Sequence, residues 1–247
     1  TDDLMGDLAV LTGGNYLSEK MGDDATLAED DRRLSAVLAE RMTDSEAYFG
    51  RVAGAWDDIR SQLFGSGFTE HALLGFVNPE WVIADLGCGT GNATELLSPW
   101  VREVIAIDRS PEMLDAARSR LLEHGGSDER IRFVEADLSK LPIPDASVDA
   151  AACVLVLHHI DDPGAALREI RRVLRTDHGG GMLLVVGMCE HDRIEYKHAM
   201  GHLHMGFTDA ERDQMFYDAG FKSVRTHKLR PGVEASGPSL FAAVAQV

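Results

Sequence analysis

The sequence predicts an α/β fold in which a mostly parallel sheet is flanked by helices and preceded by further helices. Two observations support this prediction. From about residue 80 onward, apolar runs of strand length alternate with stretches of helical periodicity, whereas earlier residues show helical periodicity alone. The apolar run at 81–84 also leads into a glycine-rich turn and then a helix-forming stretch. At 247 residues, 45% of them apolar, the chain is long enough for one large domain with additions.

Two helices are predicted before residue 80. Leu27 to Met42 has helical periodicity, and a second helix begins at a capping box of Thr43 and Glu46. This second helix extends to about Ile59. Residues 1–26 are acidic and weakly patterned, and we expect them to be mobile or to dock on a partner.

The elements after residue 80 are predicted from apolar runs and helix caps. Ser110 followed by Pro111 marks a helix start, because serine caps a helix and proline suits its first position. The last two strands are expected to pair as an antiparallel hairpin at one sheet edge. After the strand at 81–84 and the helix that follows the turn, the predicted elements are a strand at 104–107, a helix at 111–124, strands at 131–135 and 148–155, a helix at 163–175, and strands at 182–186, 222–229 and 240–247.

Composition excludes several classes of function. The chain has 24 basic and 41 acidic residues and a formal charge of −17, which disfavours direct nucleic-acid binding. Arg168, Arg171, Arg172 and Arg175 are interpreted as a solvated helix face rather than a partner patch. No apolar run approaches the roughly 20 residues of a membrane span. Because the three cysteines form no CxxC pair and no signal peptide is evident, we expect a cytoplasmic protein.

The glycine-rich turn, Asp85-Leu86-Gly87-Cys88-Gly89-Thr90-Gly91, predicts a cradle for a large ligand. Its three glycines lack side chains, so a ligand can lie against the backbone and bind its N–H groups. A dinucleotide fingerprint needs glycine at the sixth place, where this chain has Asn92, and a phosphate-binding loop needs a lysine that the turn lacks. Asp85 would repel phosphate but suits a cationic group such as a sulfonium or an ammonium.

Acidic residues and histidines follow the next predicted strands. Asp108 follows the second strand, Asp137 the third, and His158 with His159 the fourth. Ligands of parallel α/β sheets bind beyond the carboxyl ends of the strands. These side chains are therefore expected to lie beside the glycine turn.

Motifs spread over roughly residues 80–187 resemble the class I S-adenosylmethionine-dependent methyltransferases. The resemblance implies a Rossmann-like, doubly wound, seven-stranded sheet that is mostly parallel with an antiparallel C-terminal strand. It also implies an N-terminal helical and partly mobile extension at 1–43, a methyltransferase domain at 44–247 and a lid insertion at about 188–218. Beside the glycine turn, the motifs are Ile107-Asp108-Arg109-Ser110-Pro111-Glu112-Met113-Leu114, Glu135-Ala136-Asp137-Leu138, Leu141-Pro142, Asp145-Ala146-Ser147-Val148-Asp149 and Arg171-Arg172-Val173-Leu174-Arg175.

The resemblance also implies contacts to the cofactor. The glycine turn would receive the methionine and ribose parts of S-adenosylmethionine, and Asp108 would accept hydrogen bonds from the ribose hydroxyls. Asp137 would recognise the adenine amino group, while Met113 and Leu138 would sandwich the adenine. The residues expected to bind the cofactor are Asp85, Gly87, Gly89, Gly91, Asp108, Arg109, Met113, Asp137, Leu138, Tyr48 and Trp56.

The stretch from Tyr48 to Arg60 resembles the lead-in helix of methyltransferase halves fused behind ArsR-type winged-helix repressors. Those relatives carry a whole winged-helix domain ahead of this helix, whereas 47 residues precede Tyr48 here, so a DNA-binding role is not expected. Tyr48 and Trp56 either close over the sulfonium by cation–π contact or pack in a core. The N-terminal helices also offer a surface for a homodimer.

Histidines are the candidates for catalysis. His158 or His159 is expected to act as a base or to contact the substrate, because imidazole titrates in the useful range. A second group comprises His191, His198, His202 and His204. His198 and His202 have a spacing that can chelate zinc on one face of a helix, but no acidic or cysteine ligand obviously completes a set. We therefore expect a polar substrate lid and no metal.

The predicted function is methylation of a small or lipid-like molecule at oxygen, nitrogen or carbon, with S-adenosylhomocysteine as the product. One alternative is a regulatory module that binds S-adenosylmethionine without turnover. Another is an enzyme similar to the arsenite methyltransferases, because Cys153-Val154-Leu155 resembles their Asn-Cys-Val stretch and Cys88 with Cys189 would complete three thiols. That family also uses cysteines ahead of the glycine turn, and this chain has none there, so buried apolar packing is the favoured interpretation of the cysteines.

Overall fold

The computed structural model describes residues 25–43, 45–65, 67–177, 180–232 and 234–247. The chain divides into two compact units, Thr1–Phe68 and Thr69–Val247. This division places the helices of residues 45–64 with the N-terminal helix, whereas the sequence analysis assigned them to the second domain. The expectations for residues 1–24 lie outside the described residues.

The described residues of the N-terminal unit are largely helical. Its elements are α1 (Ala25–Thr43), α2 (Ser45–Val52), a 3₁₀ turn (Ala53–Ala55) and α3 (Trp56–Phe64). The single helix predicted from residue 43 to about 59 is therefore wrong in one respect, since the chain tightens into a 3₁₀ turn around Gly54, a poor helix former. The predicted capping box of Thr43 and Glu46 falls on side chains outside those that the structure describes.

The second unit is built on a seven-stranded sheet. Strand order is β3-β2-β1-β4-β5-β7-β6, and β7 runs antiparallel to both of its neighbours while the other described pairings are parallel. This confirms the predicted mostly parallel sheet with an antiparallel C-terminal strand. The strands are β1 (Val82–Leu86), β2 (Glu103–Asp108), β3 (Ile131–Glu135), β4 (Ala150–Val154), β5 (Met182–Met188), β6 (Ser223–Lys228) and β7 (Leu240–Gln246).

Helices cover both faces of this sheet. Along β1, Val82, Ala84 and Leu86 pack in the cluster that contains α7 residues, whereas Ile83 packs in a separate cluster on the opposite face. All five β1 residues are buried, as a parallel central strand requires. The helices are α4 (Phe68–Leu73), α5 (Asn92–Leu97), α6 (Pro111–Glu123), α7 (Pro163–Val173), α8 (Glu195–Ala199) and α9 (Asp209–Asp218), with 3₁₀ turns at Leu74–Phe76 and Leu157–His159.

Two predicted elements extend too far toward the C-terminus. The strand predicted at 148–155 ends at Val154, because Leu155 adopts a left-handed conformation with φ +58° that a strand cannot contain. The helix predicted to reach residue 175 ends at Val173, because Leu174 is extended and bridges Val148. Ser110 accepts a hydrogen bond from the Met113 amide and Pro111 opens α6, so that predicted cap is confirmed.

Strand order reverses between β1 and β4. From this point β2 and β3 extend to one side, and β5, β7 and β6 extend to the other. Loops that leave the carboxyl ends of β1 and β4 therefore diverge, which opens a crevice at that edge of the sheet. None of the described helices is long and apolar enough to cross a membrane.

Candidate active site

A cavity of about 730 Å³ lies at the carboxyl edge of the sheet. Its volume falls within the roughly 300–1,000 Å³ typical of small-molecule sites. The turns after β1, β2, β3 and β4 all contribute to its wall, so the four places singled out in the sequence meet at one site. Eight predicted site residues line it: Gly87, Gly89, Asp108, Arg109, Met113, Asp137, Leu138 and His159.

The glycine turn uses conformations that side chains rarely adopt. Gly87, Gly89 and Gly91 have φ values of +67°, +53° and +78°. A Cβ on Gly87 would lie 2.6 Å from Val156 Cγ2, and one on Gly91 would lie 2.9 Å from Ala117 Cβ. At Gly89 nothing lies within 4 Å of that position, so this glycine faces open space in the cavity wall. The turn is therefore packed against Val156 at Gly87 and against Ala117 at Gly91. At Gly89 its backbone is open to a ligand.

Asp85 lies beneath the turn rather than in the cavity wall. Its side chain is buried, and its Oδ2 atom accepts a hydrogen bond from the Thr94 hydroxyl at 2.5 Å. Burial raises the pKa of this carboxyl. Asp85 thus ties the end of β1 to α5, and its expected direct contact to the cofactor stays a prediction.

Asp108 is held in place by two backbone groups. Its Oδ2 atom accepts a hydrogen bond from the Gly89 amide at 2.9 Å, and its Oδ1 atom accepts one from the Ser110 amide at 2.9 Å. A carboxylate offers about four acceptor positions, so two remain available for ligand hydroxyls. The same carboxylate therefore fixes the glycine turn and presents acceptors to the cavity.

Asp137 occupies the turn after β3. Its Oδ1 atom accepts hydrogen bonds from the Ser139 amide at 2.8 Å and the Ser139 hydroxyl at 2.6 Å. The hydrogen bonds from Ser139 lower the pKa of this carboxyl, which keeps it ionised and able to accept from a ligand amino group. Leu138 beside it is buried, whereas Met113 is 45% exposed and can close on a flat ring.

The two predicted catalytic histidines have different surroundings. His159 is half-buried and lines the cavity, whereas His158 is 1% exposed and does not. Burial, and then the charges of neighbouring histidines, lower the pKa of His158 to about 3. A base this weak is a poor proton acceptor near neutral pH. Of the two residues, only His159, which lines the cavity, therefore remains a candidate base.

The segment after β5 closes over the turn that contains these histidines. The Leu203 and His204 amides both donate to the His158 carbonyl, at 2.9 and 3.1 Å. His204 Nε2 lies 2.9 Å from the Ile160 carbonyl oxygen, and Met200 reaches the cavity wall. Residues 200–204 of the segment predicted as a lid thus contact the turn after β4 and the cavity wall, and the lid at 188–218 stays a prediction.

The helical zinc-chelating arrangement considered for His198 and His202 is not formed. Helix α8 ends at Ala199, so the two residues do not share one face of a helix. His198 is exposed, whereas His202 is 2% exposed and packs against His158 with ring centroids 4.4 Å apart. A glycine at 201 with φ +69° turns the chain away from the helical path.

Tyr48 and Trp56 belong to the N-terminal unit. Within that unit, Phe49 packs edge-on against both rings, with centroid distances of 5.4 Å to Tyr48 and 4.9 Å to Trp56. Tyr48 and Phe49 are nevertheless 38% and 45% exposed, so these contacts do not form a buried core. The proposed closure of Tyr48 and Trp56 over a sulfonium stays a prediction.

Several cavity residues gave no signal in the sequence. Leu155 and Val156 line the cavity wall. Leu155 has a left-handed backbone conformation, which no sequence pattern predicts for a leucine. The others that were not singled out as site residues are Cys88, Thr90, Ser110, Ser139, Val154, Ile160, Asp161, Asp162 and Met200. Proximity to the predicted motifs would have found most of them, and Met200 comes from the segment after β5 that was predicted to form a lid.

The cysteines do not form a trigonal thiolate site. Within the part of the chain that the structure describes, no three of them bring their sulfur atoms together. Cys153 packs in the main core and Cys88 in a different cluster. Burial raises the pKa of both thiols to about 12, so they are protonated near neutral pH. This arrangement gives the arsenite alternative no support.

Comparison with known proteins agrees with this geometry. Residues 84–184 match the family described as a methyltransferase domain. Over 143 residues the chain is 32% identical to malonyl-[acyl-carrier protein] O-methyltransferase of Serratia marcescens, covering 55% of this chain and 49% of that protein. Over 107 residues it is 39% identical to the ubiquinone/menaquinone biosynthesis C-methyltransferase UbiE of Hahella chejuensis, covering 42% and 41%. The chain thus spans less than half the length of either relative.

Solved structures support the fold independently. A crystal structure of a protein from Bacillus halodurans C-125, named as a methyltransferase, superposes with a TM-score of 0.59 at 18% identity, covering 74% of this chain and 99% of that one. The sequence match agrees with the structural features described above, namely the glycine turn, the two carboxylates after β2 and β3 and the sheet order. The sequence match therefore identifies residues 84–184 as a methyltransferase domain, and the superposition agrees with that fold.

Proposed function

We propose that the protein transfers a methyl group from S-adenosylmethionine to a small or lipid-like molecule. The observation that supports this proposal is the continuity of one cavity. It joins the bare glycine turn and the two carboxylates to a wall formed by His159 and Met200. A cofactor held by the first group leaves the second group facing the methyl acceptor.

The residues at the cofactor end fit its parts. Asp108 can accept from two ribose hydroxyls without releasing the Gly89 and Ser110 amides. Asp137 remains ionised beside Met113 and Leu138, which suits an adenine amino group between two apolar side chains. Gly89 lets the ligand approach the backbone.

When bound, S-adenosylmethionine supplies the methyl group as an activated sulfonium. The protein must orient the acceptor, exclude water and, for oxygen or nitrogen acceptors, remove a proton. His159 lies in the cavity wall with Nδ1 3.2 Å from the Gly201 carbonyl oxygen. Because a carbonyl can only accept, His159 Nδ1 carries the proton and Nε2 keeps its lone pair. We infer that Nε2 contacts the acceptor or takes its proton.

The relatives show that related domains methylate different atoms. One is named for O-methylation of a malonyl group on a carrier protein and the other for C-methylation in quinone biosynthesis. Acceptors that carry carbonyl or phenolic groups, and therefore acidic C–H or O–H groups, are our first choice for this chain. A homodimer through the N-terminal helices and a cytoplasmic location stay predictions.

Formation of S-adenosylhomocysteine tests the proposal. We expect acceptor-dependent product with at least one phenol, quinone precursor, malonyl thioester or amine in a panel that also contains arsenite. His159→Gln should lower kcat by about 10²-fold or more for acceptors that must lose a proton, while His198→Gln, an exposed histidine outside the cavity, should match the parent. Tight cofactor binding with no turnover across the panel would favour the regulatory alternative, and turnover of arsenite alone would favour the metalloid enzyme.

A further inference from the structure

We propose that His158, His159 and His202 form a binding site for one divalent transition-metal ion, best suited to Zn²⁺, in the wall of the cavity. One ring nitrogen from each of the three histidines lies within 4.8 Å of those of the other two. This inference goes beyond methyl transfer, because metal binding can be measured without cofactor or acceptor.

The three residues are brought together by the backbone rather than by sequence spacing. His158 and His159 are consecutive in the 3₁₀ turn after β4, and His202 follows α8, more than 40 residues later. The amides of Leu203 and His204 clamp this later segment onto the His158 carbonyl. Because these main-chain bonds fix the segment, the convergence of the rings does not depend on side-chain rotation alone.

Two of the ring nitrogens are unsatisfied. The Nδ1 atoms of His158 and His202 are fully buried and have no hydrogen-bond partner within the described part of the chain. Leaving a buried polar atom unpaired costs roughly 1–3 kcal/mol. Ring contacts at centroid distances of 4.2 to 5.0 Å explain how the three imidazoles pack, but they do not pair these nitrogens. A cation that accepts lone pairs from this cluster would relieve the cost.

Hydrogen bonds around the cluster select which histidines can be ligands. The Gly201 carbonyl near His159 Nδ1 fixes the tautomer that leaves Nε2 free to bind, which is the usual arrangement around metal-binding histidines. His191 is different, because its Nδ1 atom accepts from the Arg193 amide and Nε2 therefore carries the proton. His191 is thus a neighbour of the cluster, with its ring 6.4 Å from that of His202, and not a ligand.

The ligand chemistry indicates the kind of metal. Neutral imidazole suits Zn²⁺ and its neighbours rather than Ca²⁺ or Mg²⁺, which prefer oxygen. Tetrahedral Zn²⁺ with Zn–N bonds of about 2.0–2.1 Å requires the nitrogens to lie roughly 3.3 Å apart. The rings therefore close by about 1.5 Å or less on binding.

Three protein ligands leave a fourth position open. His158 and His202 are buried, whereas His159 lines the cavity, so the open position faces the cavity. An oxygen, nitrogen or sulfur atom of a small molecule can fill it. Asp161 and Asp162 line the same cavity and favour entry of a cation.

The test uses the full chain without a histidine tag, stripped of metal by a chelator and titrated with Zn²⁺ by calorimetry. We expect one saturable equivalent per chain and a rise in Tm. His159→Ala and His202→Ala should each weaken binding at least tenfold, while His198→Ala, which removes an exposed histidine four residues from His202, should leave it unchanged. Co²⁺ added to the stripped parent should give the visible absorption bands of tetrahedral coordination.

Absence of a saturable equivalent in the parent would overturn the proposal, as would unchanged affinity in a folded His159→Ala or His202→Ala variant. Should the buried His202 variant fail to fold, the half-buried His159 variant and the Co²⁺ spectrum of the parent still decide. Because no cofactor or acceptor is present, failure here leaves the proposed methyl transfer standing, and failure of methyl transfer leaves metal binding measurable.

Discussion

Replacing Asp108 by alanine tests the cofactor site most directly. In the structure its two oxygens accept from the Gly89 and Ser110 amides and keep further acceptor capacity toward the cavity. Alanine removes both the expected ribose contacts and the support of the glycine turn. Hydrogen bonds to a charged acceptor contribute about 1.5–3 kcal/mol each, but water replaces part of this in the variant. We expect a loss of at least tenfold in affinity, about 1.4 kcal/mol, and up to about a hundredfold.

Calorimetry with S-adenosylmethionine and S-adenosylhomocysteine measures this loss, and circular dichroism with thermal unfolding shows whether the variant is folded. Asp115→Ala is the matched control, since Asp115 is an exposed α6 carboxylate that pairs with Arg118 outside the cavity. Its cofactor affinity should equal that of the parent. An unchanged affinity in folded Asp108→Ala would refute the placement of the ribose.

An analogue of S-adenosylhomocysteine that lacks the ribose hydroxyls separates the two roles of Asp108. If the carboxylate binds ribose, the parent loses affinity for the analogue, while Asp108→Ala binds analogue and full compound nearly equally. If Asp108 only supports the turn, the two losses add. Additive losses would assign Asp108 to the scaffold and require another partner for the ribose.

Two further predictions concern stability. Gly87→Ala should lower the free energy of unfolding by at least about 3 kcal/mol, because its Cβ would meet Val156 at 2.6 Å. Gly125→Ala is the control, since Gly125 has φ +72° but open space around it, and this change should cost only about 1–2 kcal/mol. Equal losses in denaturant titrations would contradict the clash at Gly87. With chelator present, burial holds the pKa of His158 at about 3 while the unfolded histidine titrates near 6.5, so the unfolded chain binds the proton first. The contribution of this residue to the free energy of unfolding is therefore full above pH 6.5 and falls by about 1–2 kcal/mol down to pH 5. His158→Leu should flatten the dependence of the free energy of unfolding on pH, and His198→Leu should not. An unchanged pH dependence in folded His158→Leu would show that His158 is not held neutral.

Sheet and helix order could be predicted because they depend on local patterns. Apolar runs, the Ser110 cap and the glycine turn are each readable within a few residues, and the structure places them as expected. The arginines at 168, 171, 172 and 175 were interpreted as a solvated helix face, but two of them also pair with distant residues. Arg172 pairs with Asp145 and with Glu169 on the same helix, and Arg175 pairs with Asp149. The pairs with Asp145 and Asp149 follow from tertiary packing, which one sequence does not reveal.

Site residues on the sheet edge could also be predicted, since the strand ends fix where Asp108, Asp137 and His159 lie. The burial of each side chain could not be predicted. His158 and His159 are adjacent in sequence, yet the 3₁₀ turn buries the first and presents the second to the cavity. Spacing also misled at His202, because the helix ends before it and the chain turns at Gly201. Beyond the end of α8, the chain is held by a tertiary contact that the sequence does not show, the clamp of the Leu203 and His204 amides on the His158 carbonyl.

The burial of His158 favours metal coordination over proton transfer. A buried imidazole with a low pKa is a poor proton acceptor, but it stays neutral at working pH, and metal coordination requires the neutral form. If a metal ion occupies the cluster, an acceptor hydroxyl bound at its open position would lose its proton more readily, as water does on Zn²⁺. The need for His159 as a base would then depend on the metal. The His202→Ala variant separates these routes, because it removes a metal ligand and keeps the His159 imidazole. Turnover retained with a chelator present assigns proton removal to the imidazole, whereas a loss of turnover in the folded variant together with a metal requirement in the parent assigns it to the cluster.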